Sequence, residues 1–297
     1  MKISCCYLYI ISKYGYPPKR DKEFTAIREI ANLGYTALEL EGLREEHLRE
    51  VSANRQEYKK VCTDLGLKII NFCPIIPEIV SLDKTQRDHA LDLFNLGLEI
   101  ANFYECETIQ LDSFAPPFEF IGDAPYREMI KFGKAFKVKV NPEFNWQKQW
   151  DVIVESISKC NSQAKKAKLK LLMEPRVGEM VSTTDGMLRL IDAVKDKNLY
   201  AVLDTGHLHG QKEIIPLSIE KLGDRIGCVH ASDNDAKTNA HWGLGKGNID
   251  WEAVLSALKK HRYSGYIAVD IGEIANIDVE YSDSKKYLEQ LALKLQI

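Results

Sequence analysis

The chain has no long hydrophobic run, which argues against a membrane protein. No apolar stretch reaches the length of about 18 residues that a transmembrane helix needs, so the sequence predicts no membrane span. The opening residues, MKISCCYLYI, carry one Lys and an apolar run interrupted by Ser4, which is not the pattern of a secretory signal. We therefore expect a cytoplasmic protein that does not bind a membrane.

Cysteine usage and net charge argue against two further classes of protein. The seven cysteines form no C-x-x-C pair, and their odd number is not typical of a disulfide-stabilised secreted domain. We expect buried thiols in a reducing compartment. The net charge of −3 provides no broad basic field, so a general attraction to nucleic acid is not expected either.

Short β-like runs alternate with amphipathic helical patterns along the 297 residues. The predicted strands are Ile3–Leu8, Thr36–Leu40, Lys68–Phe72, Thr108–Leu111, Leu169–Met173, Leu199–Leu203, Ile226–His230 and Tyr266–Val269. The helical patterns cover residues 21–33, 45–65, 84–103, 146–167, 183–195, 251–261 and 280–296. Eight βα units without a low-complexity linker favour an α/β fold with one (β/α)8 TIM barrel domain over residues 1–297. An open doubly wound sheet is the alternative.

One connection in this pattern is unusually long. Residues 113–144 carry four prolines and six phenylalanines between the fourth strand and the next helix. Loops of this length are uncommon unless they serve a function. A lid, a pocket wall and an inert insertion that packs on the barrel rim are all compatible with this composition.

Four consecutive predicted strands end at a carboxylate or an imidazole. The residues at these ends are Glu174, Asp204, His230 and Asp270. In a parallel barrel such strand ends surround one mouth, where several unpaired carboxylates would repel each other unless a cation neutralised them. Each residue alone could be a cap, a turn residue or a core group. Together they predict four ligands of one divalent ion.

The ligand types narrow the choice of ion without deciding it. Three carboxylates and one imidazole suit Mn²⁺, Mg²⁺, Co²⁺ or Zn²⁺. His207 lies three residues after Asp204 in a Gly-containing turn, so we expect it near the ion but outside its ligand set. Asp204-Thr-Gly206 also matches the aspartic-protease tripeptide, but that chemistry needs two such carboxylates in an all-β fold.

The segment after the seventh strand carries Asn234, His241 and a glycine-rich run from Gly243 to Gly247. The run lacks the Lys followed by Ser or Thr of a phosphate loop, so a tight structural turn is the favoured interpretation. Phosphate binding by backbone N–H groups is the alternative.

Two further groups of residues need an interpretation. Glu39 and Glu41 share one face of the second strand, and we expect one of them to point into the barrel mouth. The helical histidines are expected on solvated helix faces; they are His47, His89 and His261.

With these residues identified, the chain resembles the xylose isomerase-like TIM barrel superfamily, which joins sugar isomerases and epimerases with the endonuclease IV type of apurinic endonuclease. The matching residues are Glu174 in LLMEPR, Asp204 and His207 in LDTGH, His230 in VHASDND, and the tail from His241 to Trp251. The resemblance covers nearly the whole chain. Asp270 departs from it, because the family usually has Glu there; Glu273 is the alternative residue for that role.

The resemblance implies an isomerase or epimerase of a sugar, sugar phosphate or related polyol ketone. Such an enzyme uses a divalent metal and transfers a proton through a metal-stabilised enediolate. It implies Glu174 as the first base, with Asp270 opposite it. The substrate-binding candidates are His207, Arg176, Asn234 and His241. An inosose dehydratase-like lyase would begin with the same proton abstraction and is one alternative.

The apurinic endonuclease branch is the other enzymatic alternative. It binds three zinc ions and needs histidines after the third and fourth strands, where this chain has NFCPIIPE and QLDSFAPP. Asn239 also stands where that branch would need a carboxylate. We therefore expect a small-molecule sugar or sugar-phosphate partner rather than nucleic acid. A non-catalytic sugar-sensing barrel and a homo-oligomer both stay open.

Overall fold

A closed barrel of parallel strands organises the chain, as the βα alternation predicted. The computed structural model describes residues 1–122 and 136–297. The barrel strands are β1 (Lys2–Cys5), β2 (Ala37–Leu43), β3 (Lys68–Ile75), β4 (Thr108–Asp112), β5 (Lys170–Glu174), β6 (Leu199–Asp204), β7 (Ile226–Ala231) and β8 (Tyr266–Val269). Each strand pairs with its successor in this series, and β8 pairs in parallel with β1 to close the barrel. The (β/α)8 TIM barrel is thus confirmed and the open sheet is excluded.

Helices surround the strands and cover their outer faces. They are α1 (Leu8–Tyr14), α2 (Arg20–Asn32), α3 (Arg44–Ala53), α4 (Arg55–Asp64), α5 (Lys84–Phe103), α6 (Trp146–Lys166), α7 (Thr184–Val194), α8 (Thr205–Gly210), α9 (Ile215–Leu222), α10 (Trp251–Lys260) and α11 (Ile277–Leu295). Short 3-10 turns occupy Pro77–Val80 and Gly223–Arg225. Of these, α1, α8 and α9 were not predicted from the sequence.

Two boundaries differ from the sequence prediction for identifiable reasons. The helix expected over residues 45–65 is two helices, because the main chain leaves helical geometry at Asn54, where φ is −107° and ψ is 12°. The Asn54 side chain donates to the Glu50 carbonyl at 2.7 Å at this junction. The first strand ends at Cys5, and helix α1 then continues the buried apolar run through Ile11. A continuous apolar run does not by itself distinguish a strand from a buried helix.

His47 is a correction to the expected solvated helix faces. Its ring is buried: Nδ1 accepts from the Leu43 N–H at 3.0 Å, and Nε2 lies 3.3 Å from a Glu23 oxygen. His89 is exposed as expected and pairs with Glu45, whereas His261 is half-buried. The seven cysteines are buried and free, as predicted.

The long connection after β4 is described only at its two ends, since residues 123–135 lie outside the described residues. Glu119–Phe120 and Val138–Lys139 form a two-residue antiparallel pair. Aromatic rings pack along the connection, Phe118 against Phe144 and Phe120 against Phe136. Across the described part of the chain, no helix is long and apolar enough to cross a membrane.

Candidate metal and substrate site

The four predicted ligands are aligned above one layer of apolar side chains inside the barrel. Each stands two residues after a member of that layer, which contains Leu172, Val202, Cys228 and Ala268. Because side chains alternate along a strand, residues two apart point to the same face. Glu174, Asp204, His230 and Asp270 are accordingly all buried at the carboxyl end of the barrel.

Three of these residues bring ligand atoms to one point. One ligand atom from each of three side chains, Glu174, Asp204 and His230, lies within 4.8 Å of the other two. His230 Nδ1 is 2.7 Å from Glu174 Oε1 and 4.0 Å from Asp204 Oδ2. Strand pairing places Asp204 directly beside His230, which explains this proximity.

A second group of three shares Asp204 with the first. The Asp204, His207 and His241 ligand atoms also lie within 4.8 Å of one another. His241 Nε2 is 3.6 Å from Asp204 Oδ2 and 3.5 Å from Asp270 Oδ2. Asp270 therefore approaches the cluster through His241, and neither three-residue group contains it. His241 was expected to bind substrate, and its position between Asp204 and Asp270 was not predictable from the sequence.

The donor atoms fit a divalent cation. Asp204 Oδ1 accepts the His207 N–H at 2.7 Å, while its buried Oδ2 has no hydrogen-bond donor in the described part of the chain. Burial opposes the charge of Asp204, yet His207 and His241 lower its pKa below the ordinary value, so this oxygen stays ionised. A buried anionic oxygen beside imidazole nitrogens suits Mn²⁺, Mg²⁺, Co²⁺ or Zn²⁺.

The other two carboxyls have raised pKa values in the absence of an ion. Burial raises the pKa of Glu174 to about 8, even though His230 acts in the opposite direction. Burial also raises the pKa of Asp270, against the influence of His241. A bound cation would favour the ionised form of both groups, so protons and metal compete for this site.

The cluster opens into a cavity of about 1130 Å³, and several of its lining residues were not predicted. Asp112, in register with Glu174, forms a close ion pair with Arg176. Glu179 Oε2 lies 3.8 Å from Arg176 Nε, and burial raises the pKa of this carboxyl to about 8. Asp112 ends a strand just as Glu174 does, so the rule that strand ends carry site residues applies to it as well.

Of the two glutamates on β2, Glu41 lines the cavity and Glu39 lies deeper in the barrel, against His230. Burial raises the pKa of Glu41 well above the ordinary value, and the charge of Asp112 raises it further. The loop after β4 also forms part of the cavity wall, through Phe114 and Phe120 among others.

Asn234 has a structural role. The described residues that line the cavity do not include it. Its amide donates to the carbonyls of Gly206 and Ala240 and its oxygen accepts from the Ala236 N–H. The substrate role suggested by the sequence is thus not supported by its contacts.

The neighbouring Asp233 organises the glycine-rich run. Its carboxylate accepts from the N–H groups of Gly245 and Ile249 and from the Trp251 indole. The Leu244 N–H donates to Ser284 and the Asn248 N–H to the Asn234 carbonyl. These internal bonds support the interpretation of the run as a structural turn rather than a phosphate cradle.

Comparisons with known proteins identify the family of this chain. The model of the family described as "Xylose isomerase-like TIM barrel" matches residues 27–291. An inosose dehydratase of Clostridium perfringens is 26% identical over 165 residues, which are 48% of this chain and 55% of that protein. The alignment thus spans about half the length of the curated relative.

Solved structures share the fold at low identity. D-psicose 3-epimerase from Clostridium cellulolyticum H10 superposes with a TM-score of 0.75 and 17% identity, covering 98% of this chain and 99% of that one. A 3-keto-D-glucoside 4-epimerase from E. coli gives a TM-score of 0.74 with 18% identity, covering 98% and 99%. Because the family model matches residues 27–291, which is most of this chain, the chain belongs to the xylose isomerase-like TIM barrel family.

Proposed function

We propose that this protein is a divalent-metal-dependent isomerase or epimerase of a sugar or related polyol ketone. The observation that carries the proposal is the Glu174, Asp204 and His230 cluster, whose ligand atoms lie within 4.8 Å of one another. Glu174 and His230 line the same cavity as Asp270. The similar proteins support it, since two are described as sugar epimerases. The ligands would be Glu174, Asp204 and His230, with His241 or Asp270 completing the set.

A divalent ion bound by these residues would polarise a substrate carbonyl and acidify the adjacent C–H. Glu174 and Asp270 supply the two proton-transfer groups. They project from β5 and from the end of β8, which are not neighbours in the barrel, so a substrate held between them is approached from two sides. One carboxylate removes the proton and the other carboxyl returns one, as inversion or migration of a carbonyl requires.

Arg176 and His207 are suited to binding substrate oxygens. Both line the cavity, and the Arg176 guanidinium is oriented by Asp112 and Glu179. The charge of Arg176 is therefore paired with that of Asp112.

The cavity charge favours an uncharged substrate over a phosphorylated one. Among the described residues that line it, seven are carboxylic acids and two are arginines. The acids are Glu41, Glu45, Glu78, Asp112, Glu174, Glu179 and Asp270, and the arginines are Arg44 and Arg176. Burial raises the pKa of four of these acids, Glu41, Glu174, Glu179 and Asp270, so they do not all carry charge. The arginines are few, and Arg176 is already paired with Asp112, so a phosphate would find little unpaired positive charge among the described lining residues. This shortage of cationic groups, together with the lack of histidine in NFCPIIPE and QLDSFAPP, weighs against a phosphodiester substrate.

A lyase is the second candidate, because the curated relative is described as inosose dehydratase. Its reaction would start with the same proton abstraction. The second acid would then protonate a leaving hydroxyl rather than carbon.

The experiment is incubation of the Mn²⁺-loaded protein with ketoses and inososes in D₂O, followed by NMR and absorbance. An isomerase or epimerase incorporates deuterium next to the carbonyl and keeps every oxygen, whereas a lyase yields an absorbing unsaturated ketone. E174Q is the matched control and should abolish both signals. If no substrate shows exchange or loss of water, the proposal is wrong and a sugar-sensing barrel becomes the better description.

A further inference from the structure

Glu39 contacts His230 across the interior of the barrel. Its Oε2 lies 3.1 Å from His230 Nε2, and its Oε1 accepts from the Cys228 thiol at 3.6 Å. Glu39 is 3% exposed, and β2 and β7 do not pair in the barrel. The contact is therefore made by side chains that meet inside the barrel, below the ligand cluster.

The two ring nitrogens of His230 face two different environments. Nδ1 faces Glu174 and Asp204, the other members of the ligand cluster, and Nε2 faces Glu39. A neutral imidazole carries one proton, and the nitrogen without it is the one that can bind a metal. A carboxylate beside Nε2 favours the proton on Nε2, which leaves the Nδ1 lone pair directed at the cluster.

We propose that Glu39 is a positioning residue that holds His230 in the tautomer and ring orientation needed for a divalent ion to bind at Nδ1. The inference rests on the metal site proposed above and adds a residue that does not itself touch the ion. A buried carboxylate in this position also increases the basicity of the imidazole.

A competing arrangement uses Glu39 as a ligand. Cys6, Glu39 and His230 also bring one ligand atom each within 4.8 Å of one another. Glu39 faces Nε2 of the His230 ring, whereas Glu174 and Asp204 face Nδ1. An ion held by Glu39 and Cys6 would therefore not be shared with these two carboxylates. The positioning role keeps both carboxylates as ligands, and C6A distinguishes the two arrangements.

The test is a titration with Mn²⁺ in which free ion is followed by electron paramagnetic resonance. The variants are E39Q, H230A and the E39Q/H230A double variant. We expect E39Q to weaken Mn²⁺ binding about 10-fold, the lower end of the effect of outer-shell partners. H230A should weaken binding more, and the double variant should match H230A, because Glu39 acts only through that ring. C228A removes the thiol that donates to Glu39 and should bind Mn²⁺ like the wild type, as should C6A.

Each result separates the inference from the function on which it rests. If H230A binds Mn²⁺ like the wild type, the proposed metal site itself is wrong. If H230A loses affinity and E39Q does not, or if the losses add in the double variant, the positioning role is overturned while the metal site stands. Loss of Mn²⁺ binding in C6A would indicate that Glu39 is a metal ligand rather than a positioning residue. E39D provides a second variant should E39Q fail to fold; its affinity should lie between wild type and H230A, and an affinity equal to that of H230A would overturn the role.

Discussion

His230 Nδ1 lies 2.7 Å from Glu174 Oε1, although the two residues belong to strands that do not pair. The strand between them, β6, ends in Asp204, whose Oδ2 is 4.0 Å from the same nitrogen. Burial raises the pKa of Glu174, whereas the charge of His230 and a hydrogen bond from its ring lower it. The cation proposed above would compete with a proton for these same two atoms.

Removing His230 and removing His207 should have different effects on metal binding. H230A eliminates a nitrogen of the proposed ligand cluster and should weaken Mn²⁺ binding more than about 100-fold, beyond the range of outer-shell changes. H207A should keep the ion within a few-fold and reduce turnover. Isothermal titration with Mn²⁺ measures both. Equal losses would place the ion in the second group, with Asp204, His207 and His241.

Variants of Asp204 and Asp270 should distinguish metal binding from proton transfer. Asp204 belongs to two of the three-residue groups, with Glu174 and His230 and with His207 and His241, so D204N should abolish metal binding. Asp270 belongs to none of the groups, so D270N should lose less affinity than D204N while kcat falls by about 10²- to 10⁴-fold, the usual loss of a general acid or base. Metal affinity and deuterium exchange are compared for the two variants. If D270N shows normal deuterium exchange, the second proton-transfer group is a residue other than Asp270.

The metal-free protein should lose stability as pH rises from about 5 to 8. Glu174 has a pKa of about 8 in the folded chain against 4.5 as the ordinary value, so the folded state retains a proton that the unfolded state releases. The contribution is complete below pH 4.5, declines as pH rises, and is lost at pH values above about 8. The slope attributable to one group is at most about 1.4 kcal/mol per pH unit.

Urea unfolding with a chelator present measures this dependence, and E174Q should show a shallower slope than the wild type between pH 5 and 8. Mn²⁺ affinity should rise over the same interval as the carboxyl loses its proton. Identical slopes in the two proteins would contradict the raised pKa of Glu174.

Asp233 should be important for stability rather than for catalysis. Its carboxylate accepts bonds from Gly245, Ile249 and Trp251, and it is completely buried. D233A should therefore lower the free energy of unfolding by about 3 kcal/mol, because buried donors lose a charged acceptor. D235N, at a partly exposed neighbour, should cost less than about 1 kcal/mol. Urea unfolding of both variants checks this, and a D233A protein as stable as D235N would contradict it.

The barrel and the four strand-end residues were predictable because both depend on local patterns. Period-two alternation places Glu174, Asp204, His230 and Asp270 on the face of their apolar predecessors, and eight βα units favour closure. Asp112 was missed although the same rule applies to it. Helix α1 was missed because a short apolar run does not reveal its own period.

The sequence by itself determined which residues face the inside of the barrel and at which end they gather. It could not determine which of them touch. The contacts of His230 with Glu39, of His241 with Asp204 and Asp270, and of His47 with Glu23 join segments that are distant along the chain. Such contacts depend on barrel closure, strand register and loop path, which are properties of the assembled fold. Only the tertiary structure could therefore decide them.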